Sequence, residues 1–151
     1  MIDRIGTALG TVLLDLDGDA VTALTFDKNA PAGEPQTEPG RRVARYFAGE
    51  LDAFEGLRLA PQGTPFQQSV WAELLKIPCG ETRSYGDLAR ALKSSARAVG
   101  GANGANPIAV IIPCHRVIAA DGTLGGYSGG LDKKRFLLAH EQRKLPLFAH
   151  G

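Results

Sequence analysis

The residues of this sequence that could do chemistry cluster around a cysteine, Cys114, which is followed directly by His115 and Arg116. The apolar run 108–112 and Pro113 precede it, so the thiol stands where a buried segment meets polar residues. A thiolate is a nucleophile, and a nearby imidazole or cation increases the thiolate fraction at neutral pH. Adjacent side chains diverge on a strand, however, and a free cysteine often only fills space in a core. The spacing alone leaves two interpretations open, a nucleophile and a packing residue.

Length and composition indicate the kind of protein in which this chemistry would occur. The chain has 151 residues, enough for one ordinary domain or two small ones that share an interface. Hydrophobic residues make up 44% and charged residues 22%, a balance typical of a soluble protein with a real core. No apolar run approaches the roughly 18 residues of a membrane span, and the start lacks a secretory signal. We therefore expect a cytoplasmic protein that does not bind membranes.

Charge is distributed unevenly along the chain, although the net charge is only +1. Residues 1–62 carry 6 Lys or Arg and 10 Asp or Glu, a net charge of −4. Residues 63–151 carry 11 and 6 of these, a net charge of +5. A basic second half favours contact with a polyanion, but small domains also carry such charges without any partner. Charge alone leaves both interpretations open.

The elements predicted for the first half form a small antiparallel sheet with one helix. Residues 11–26 alternate between apolar and polar around a turn at 17–19, which predicts a hairpin. Residues 28–40 contain three prolines and are predicted to form an exposed loop. Helical spacing predicts a helix over 41–48, and weak alternation indicates a further strand over 51–59.

The elements predicted for the second half are mostly helical and follow a boundary near 61–65. Thr64 as N-cap, followed by Pro65, predicts a helix with an apolar stripe. The other predicted helices are 85–92, one that starts near Ser95, and a last one over 131–140. Two short helices joined by the tight turn 93–95 are typical of a helix-turn-helix.

Six ordered segments give the sequence a resemblance to a known family. They are 80–85 (GETRSY), 96–100 (ARAVG), 106–107 (NP), 113–118 (PCHRVI), 126–131 (GYSGGL) and 138–141 (LAHE). In order and spacing they resemble the O6-alkylguanine-DNA alkyltransferases over about 65–141, whereas the first half is similar only in its hairpin-then-helix pattern. The resemblance implies an α+β fold. Residues 1–62 would form a ribonuclease H-like support domain, and residues 63–151 a DNA-binding and alkyl-acceptor domain with a winged helix-turn-helix.

The same resemblance implies direct-reversal DNA repair by a catalytic group of four residues. Cys114 would attack the alkyl carbon bonded to O6 of alkylated guanine and form a thioether. The alkyl carbon on O4 of alkylated thymine would react in the same way. His115 would act as the base through a water, and Glu141 would orient its imidazole. Asn106 would hydrogen-bond across the turn that holds the active-site segment to the helix-turn-helix. A thioether has no ready leaving path, so each molecule would act once as a methylated-DNA–protein-cysteine methyltransferase.

A pocket for the alkylated base is also implied by the resemblance. Tyr85 would donate a hydrogen bond to N3 of guanine, and the Ser128 amide would reach O6, where charge develops. The backbone carbonyls of Cys114 and Val117 would accept from the exocyclic amine. Tyr127 would help to form the pocket wall.

The expected partner is double-stranded DNA that contains O6-alkylguanine, bound by a monomer. A base inside a duplex is out of reach of a buried thiol, so the nucleotide must be flipped out. Arg97 resembles the arginine that fills the vacated stack, and small residues keep its helix slim enough for a minor groove. Binding should therefore depend on salt more than on sequence. The implied DNA-binding residues are Arg97, Ser84, Ala96 and Gly100.

Some features depart from the family or leave alternatives. No zinc ligand set occurs in the first half, unlike animal members, and neither a metal nor an organic cofactor is expected. Cys79 is interpreted as a packing residue, with a redox-sensitive thiol as the alternative, and no disulfide is expected. Ala109 stands where the human-type pocket has a proline, which puts reaction with benzylated guanine in doubt. The family's damage sensors replace the reactive cysteine with another residue, whereas this sequence retains it as Cys114.

Two further classes of protein compete with the alkyltransferase. A plain helix-turn-helix module would explain the basic second half but not Asn106 or Glu141. A cysteine hydrolase would need an oxyanion hole and a distant histidine, for which His140 and His150 give little support.

Overall fold

The computed structural model describes residues 1–127 and 129–142, and it shows a mixed α+β fold. Contacts between residues divide the chain into two compact units. The first unit contains Met1–Gln62 together with Pro107–Ile111. The second contains Gly63–Asn106 and the residues from Ile112 onward.

The first unit is built on a three-stranded antiparallel sheet with the order β1-β2-β3. The strands are β1 (Ile2–Thr7), β2 (Gly10–Asp17) and β3 (Ala20–Phe26). The hairpin predicted over 11–26 is confirmed, and its turn uses Gly18 at a φ of 63°. Strand β1 escaped prediction because its pattern, with exposed Ile2 and buried Asp3, inverts the expected alternation.

Helix α1 (Glu38–Phe47) follows the sheet and begins earlier than the sequence predicted. Thr37 is the N-cap and accepts a hydrogen bond from the Gly40 amide, so Pro39 lies in the first turn, where proline is tolerated. The buried Asp3 carboxylate accepts from the amides of Gln36 and Thr37 at 3.0 Å each and fixes this helix start.

The strand predicted over 51–59 is wrong, because residues 51–56 form turns. Arg42 on α1 donates to the carbonyls of Ala53 and Glu55 at 3.1 and 2.6 Å, and these bonds hold the turns. Of this stretch, Leu59 forms an isolated parallel bridge with Val21.

The apolar run that leads to Cys114 is buried, as predicted, but it is not a regular strand. Ile108 bridges to Leu24 in the first unit, and Val110 has a φ of 73°, unusual for a β-branched residue. The Ile111 amide donates to the Ala109 carbonyl at 2.9 Å, which closes a tight γ-turn around Val110.

The second unit contains four helices among its described residues: α2 (Pro65–Leu74), α3 (Tyr85–Leu92), α4 (Ala96–Gly104) and α5 (Leu131–Gln142). Capping boxes at Thr64 and Ser84 start α2 and α3. The Trp71 indole donates to the Ala102 carbonyl at 2.9 Å and joins α2 to α4. A short parallel pair links β4 (Arg83–Ser84) to β5 (Val117–Ile118).

The turn between α3 and α4 contains Lys93 at a φ of 54°, which ends α3 sharply, and Ser95 caps α4. Within the described part of the chain, none of the helices has the length and apolar character needed to cross a membrane.

Candidate active site

Cys114 opens a 3₁₀ turn, Cys114–Arg116, rather than continuing a strand. Pro113, at φ −82° and ψ 65°, bends the chain so that the Cys114 amide donates to the Ile112 carbonyl at 2.8 Å. Consecutive side chains on such a turn do not alternate between opposite faces as they do on a strand. Both Cys114 and His115 are therefore buried, at 3% and 0% exposure.

Cys114 lines a pocket of about 230 Å³ in the second unit. One wall is the face of α4, and another is the glycine-containing loop before α5. Its lining residues are Tyr85, Gly100, Asn103, Gly104, Cys114, Gly126 and Tyr127. The sequence had singled out Cys114, Tyr85, Gly100 and Tyr127, and the fold brings these four together from distant parts of the chain.

His115 and Glu141 form a buried pair at 2.8 Å between Nε2 and Oε2. Arg116 holds the same carboxylate with two further hydrogen bonds, from Nε at 2.8 Å and from Nη2 at 2.9 Å. Its Nη1 donates to the Ile77 carbonyl, which lies beyond the end of α2, at 2.7 Å. The fork of Arg116 thus fixes the carboxylate that orients the imidazole, a role that the sequence did not predict.

The charges of this pair follow from its surroundings. Burial alone would raise the pKa of Glu141, but the hydrogen bonds from His115 and Arg116 outweigh it and hold that pKa well below its usual range. Burial lowers the pKa of His115, against the pull of the Glu141 carboxylate. The site therefore contains a carboxylate and a neutral imidazole. With Nε2 carrying the proton toward Glu141, Nδ1 is the lone-pair nitrogen, and it has no partner among the described residues.

The Cys114 thiol has a raised pKa because it is buried. A hydrogen bond from the Asn106 side chain and the charge of Lys134 act in the opposite direction. The buried Tyr127 hydroxyl also acts to lower this pKa. The thiol is thus protonated at rest, in surroundings that would stabilise a thiolate once a base removes the proton.

Asn106 and Ser84 are engaged in local structure. The Asn106 amide donates to the Ile112 carbonyl at 2.8 Å and so joins the residues on either side of Pro107–Ile111. The Ser84 hydroxyl accepts from the Asp87 amide and caps α3.

Lys134 is a site residue that the sequence analysis missed. Its side chain is buried, and the ammonium group donates to the carbonyls of Val117 at 2.6 Å, Gly126 at 3.0 Å and Leu124. These bonds tie β5 to the glycine-containing loop. Helical spacing could have revealed it, since Lys134 lies one and two turns before the buried Leu137 and Glu141.

Tyr85 and Tyr127 differ in how deeply their side chains are buried. Tyr85 begins α3, and burial raises the pKa of its hydroxyl, while the Gly126 backbone acts in the opposite direction. A side chain at Gly125, which has a φ of 70°, would press on this hydroxyl at 3.0 Å. Tyr127 is largely buried at the pocket wall. Ser128, which the resemblance placed at O6, lies outside the described residues.

The remaining predicted residues lie outside the pocket lining. Ala96 and Arg97 are exposed in the first turn of α4, one turn before Gly100. Cys79 is half-buried, and burial, reinforced by the charge of Glu141, raises the pKa of its thiol to about 11. The Cys79 thiol is therefore protonated at rest, like that of Cys114, but it lies outside the pocket lining.

The pocket holds a buried cysteine, and the residue after it forms an imidazole–carboxylate pair, an arrangement typical of proteins that use a thiol nucleophile. The family model for the DNA-binding domain of 6-O-methylguanine DNA methyltransferase matches residues 65–143. This chain belongs to that family.

Relatives and solved structures agree with this assignment. A methylated-DNA–protein-cysteine methyltransferase of Haemophilus influenzae is 41% identical over 155 residues, covering 95% of this chain and 86% of the relative. Another, from Methanosarcina mazei, is 54% identical over 110 residues, covering 72% and 69%. The crystal structure of Mycobacterium tuberculosis OGT in complex with DNA matches with a TM-score of 0.83 and 43% identity, covering 93% of this chain and 91% of that one.

Proposed function

We propose that this protein repairs DNA by direct reversal, moving a methyl or other alkyl group from O6 of guanine onto Cys114. One observation carries the proposal: in a member of this family, the pocket contains Cys114, and the next residue forms a buried imidazole–carboxylate pair. O4 of alkylated thymine is a second substrate of the same chemistry.

The proposed reaction uses the protonation states of the resting site. His115 accepts the thiol proton at Nδ1 through a water, while Glu141 stabilises the imidazolium that forms. The thiolate attacks the alkyl carbon and forms the C–S bond. The C–O bond breaks, its electron pair stays on O6, and protonation returns guanine. The product thioether has no ready leaving path, so one molecule repairs one lesion.

The proposed pocket roles follow the resemblance to the family's pocket residues. The Tyr85 hydroxyl donates to N3 of the base, and the Val117 carbonyl, oriented by Lys134, accepts from the exocyclic amine. Tyr127 forms a wall, and the Ser128 amide reaches O6. Asn106 positions the residues before the nucleophile through its bond to Ile112.

The proposed DNA interface consists of α3 and α4 as a winged helix-turn-helix. Ala96, Gly100 and the Ser84 cap allow close approach of the helix to a minor groove, and exposed Arg97 fills the stack left by the flipped nucleotide. Residues 63–151 would thus bind DNA and accept the alkyl group. Residues 1–62 would act as a ribonuclease H-like support domain in a cytoplasmic monomer.

The test measures the DNA product. A duplex with one O6-methylguanine is mixed with excess protein, digested to nucleosides and separated. We expect deoxyguanosine to replace O6-methyldeoxyguanosine with the wild type and with Cys79→Ser, the matched control, but not with Cys114→Ser. Persistence of the methylated nucleoside with folded wild type would refute the proposal.

A further inference from the structure

Arg116 holds the same carboxylate as His115, but no step of the proposed reaction uses it. Its Nη2 and the His115 Nε2 both lie on Oε2 of Glu141, at 2.9 and 2.8 Å. The other carboxylate oxygen, Oε1, accepts from Arg116 Nε at 2.8 Å. A protonated His115 would place a second positive charge within about 6 Å of the guanidinium. Arg116 therefore already neutralises the carboxylate that would otherwise favour an imidazolium.

The guanidinium is held in this position by the fold. Its Nη1 donates to the Ile77 carbonyl at 2.7 Å, so the side chain is fixed at both ends of the fork. The Arg116 side chain is 12% exposed and the Glu141 side chain 1%, so that water and salt screen the pair little. Arginine is not deprotonated in proteins, and its charge is therefore present at every pH at which the site works.

The charge balance of the pair decides whether His115 binds a proton. A buried carboxylate bonded to a histidine alone raises the pKa of the imidazole, because the proton cancels the negative charge. Beside Arg116, the same proton would leave a net positive charge in a buried place. Burial lowers the pKa of His115, and the charge of Arg116 acts in the same direction. The geometry and the charges thus both favour a neutral imidazole.

Lys134 supplies another positive charge that lowers the pKa of His115. Its ammonium donates to the carbonyls of Val117 and Gly126 at 2.6 and 3.0 Å and so holds the pocket loop. Three further groups lie around the pair, and burial raises the pKa of each thiol or hydroxyl: Cys114, Tyr127 and Cys79. These three are uncharged at neutral pH.

The two helices packed against the Cys114–Arg116 turn carry further ionisable groups, which have partners of their own. On α2, Glu73 pairs with Lys76 at 2.7 Å. On α5, His140 stacks on the Phe136 ring. Arg116 is thus the cation bonded to the carboxylate that orients the imidazole.

We propose that Arg116 is a positioning residue that keeps the His115 imidazole neutral, and so able to accept the Cys114 proton, by neutralising the Glu141 carboxylate. This inference rests on the proposed function. Without the guanidinium, His115 and Glu141 would bind one proton between them, because that proton removes the net buried charge.

The added proton would block the base wherever it resides. If it lies on His115, both ring nitrogens carry a hydrogen. If it lies on Glu141 and is donated to Nε2, the ring hydrogen must be on Nδ1. In both cases Nδ1 cannot accept the thiol proton, so the loss of Arg116 would move the loss of activity to a higher pH.

The experiment compares Arg116→Lys, which keeps the charge, with Arg116→Gln, which removes it; both lose the fork. The single-turnover rate at saturating O6-methylguanine duplex is measured against pH. For the wild type and Arg116→Lys we expect the loss of rate to have its midpoint below pH 6.5. For Arg116→Gln we expect a midpoint about one pH unit or more above that of the wild type. Titration of the His115 ring by NMR in the free protein should show the same shift.

The midpoint separates control of the proton from structural damage. A merely structural role of Arg116 would lower the rate at every pH in both variants and leave the midpoint in place. An unshifted midpoint in folded Arg116→Gln, or an equal shift in both variants, would overturn the inference.

A double variant covers the case in which Arg116→Gln does not fold. Arg116→Gln combined with Glu141→Gln buries no unpaired charge, and it is compared with Glu141→Gln alone, which retains the guanidinium. The His115 ring should titrate at a higher pH in the double variant, and equal NMR midpoints would overturn the inference. A wild type that takes no methyl from the duplex would instead refute the proposed function, whereas the NMR titration would still test Arg116.

Discussion

At the scale of single residues, the site keeps the cysteine and the histidine uncharged at rest and holds the negative charge on the glutamate. Burial keeps Cys114 as a thiol and His115 as a neutral imidazole, while Arg116 and His115 keep Glu141 ionised. In the proposed reaction, the thiolate therefore forms only when His115 accepts the thiol proton. Such an arrangement limits side reactions of a cysteine that can be used once.

The pH dependence of alkyl transfer tests this division of charge. His115 must be neutral to accept the proton, and its pKa is lowered from 6.5. Because this pKa is lowered, the neutral form of His115 persists as the pH falls and is lost only when the pH passes below the lowered pKa. We expect any loss of the single-turnover rate at saturating duplex to have its midpoint below pH 6.5. A loss centred at or above 6.5 would contradict the neutral-base account.

Removing the charge of Glu141 should affect both rate and stability. Glu141→Gln keeps the shape but leaves Arg116 without its buried counterion, which costs about 3 kcal/mol of folding free energy. We expect a lower Tm in thermal melting and a slower alkyl transfer, because the imidazolium loses its stabilising carboxylate. Glu55→Gln, a change of the same type at an exposed residue, should alter neither. Normal transfer by folded Glu141→Gln would exclude the carboxylate from the mechanism.

At the scale of elements, the sequence predicted those parts whose signals are local. The capping residues Thr64, Ser84 and Ser95 start helices, and the 17–19 turn makes a hairpin, because these signals act within a few residues. The turns at 51–56 were mistaken for a strand because the bonds that hold them come from Arg42, on another element.

Prediction of the candidate site had the same limit, because residues whose role depends on the packing of distant parts of the chain were missed. Resemblance to a family pointed to Cys114, His115 and Glu141, and the structure brings the last two within 2.8 Å. Lys134 and Asn103 were missed because a lysine or asparagine on a helix is usually solvated. Their importance comes from burial against the carbonyls of Val117 and Cys114, which only the packed chain creates.

The role proposed for Arg97 belongs to helix α4 as a whole. If this side chain fills the stack after base flipping, it matters for duplex substrates and not for free O6-methylguanine base. Arg97→Ala should slow repair of duplex by about tenfold or more, with little change on the free base. Arg58→Ala, which removes an exposed arginine from the first unit, outside the proposed DNA interface, is the control. Equal losses on both substrates would eliminate the finger role.

At the scale of the whole molecule, the reaction leaves an extra group in a packed site. Cys114 is 3% exposed, and enlarging a buried side chain forces its neighbours to shift, at a cost of about 1 kcal/mol or more. We expect the methylated protein, freed of DNA, to melt at a lower temperature than the unreacted protein. Protein treated with undamaged duplex provides the reference. An unchanged or higher Tm would show that the pocket accepts the group without strain.

The central claim is that this chain is the final acceptor of the alkyl group. Intact-protein mass spectrometry after mixing with a duplex that contains one O6-methylguanine tests it most directly. The account predicts that each wild-type molecule gains the mass of one CH2 unit, that the gain maps to Cys114, and that Cys114→Ser gains nothing. Unchanged mass, with or without tight binding to the lesion, would contradict the account and leave a DNA-binding protein that does not repair.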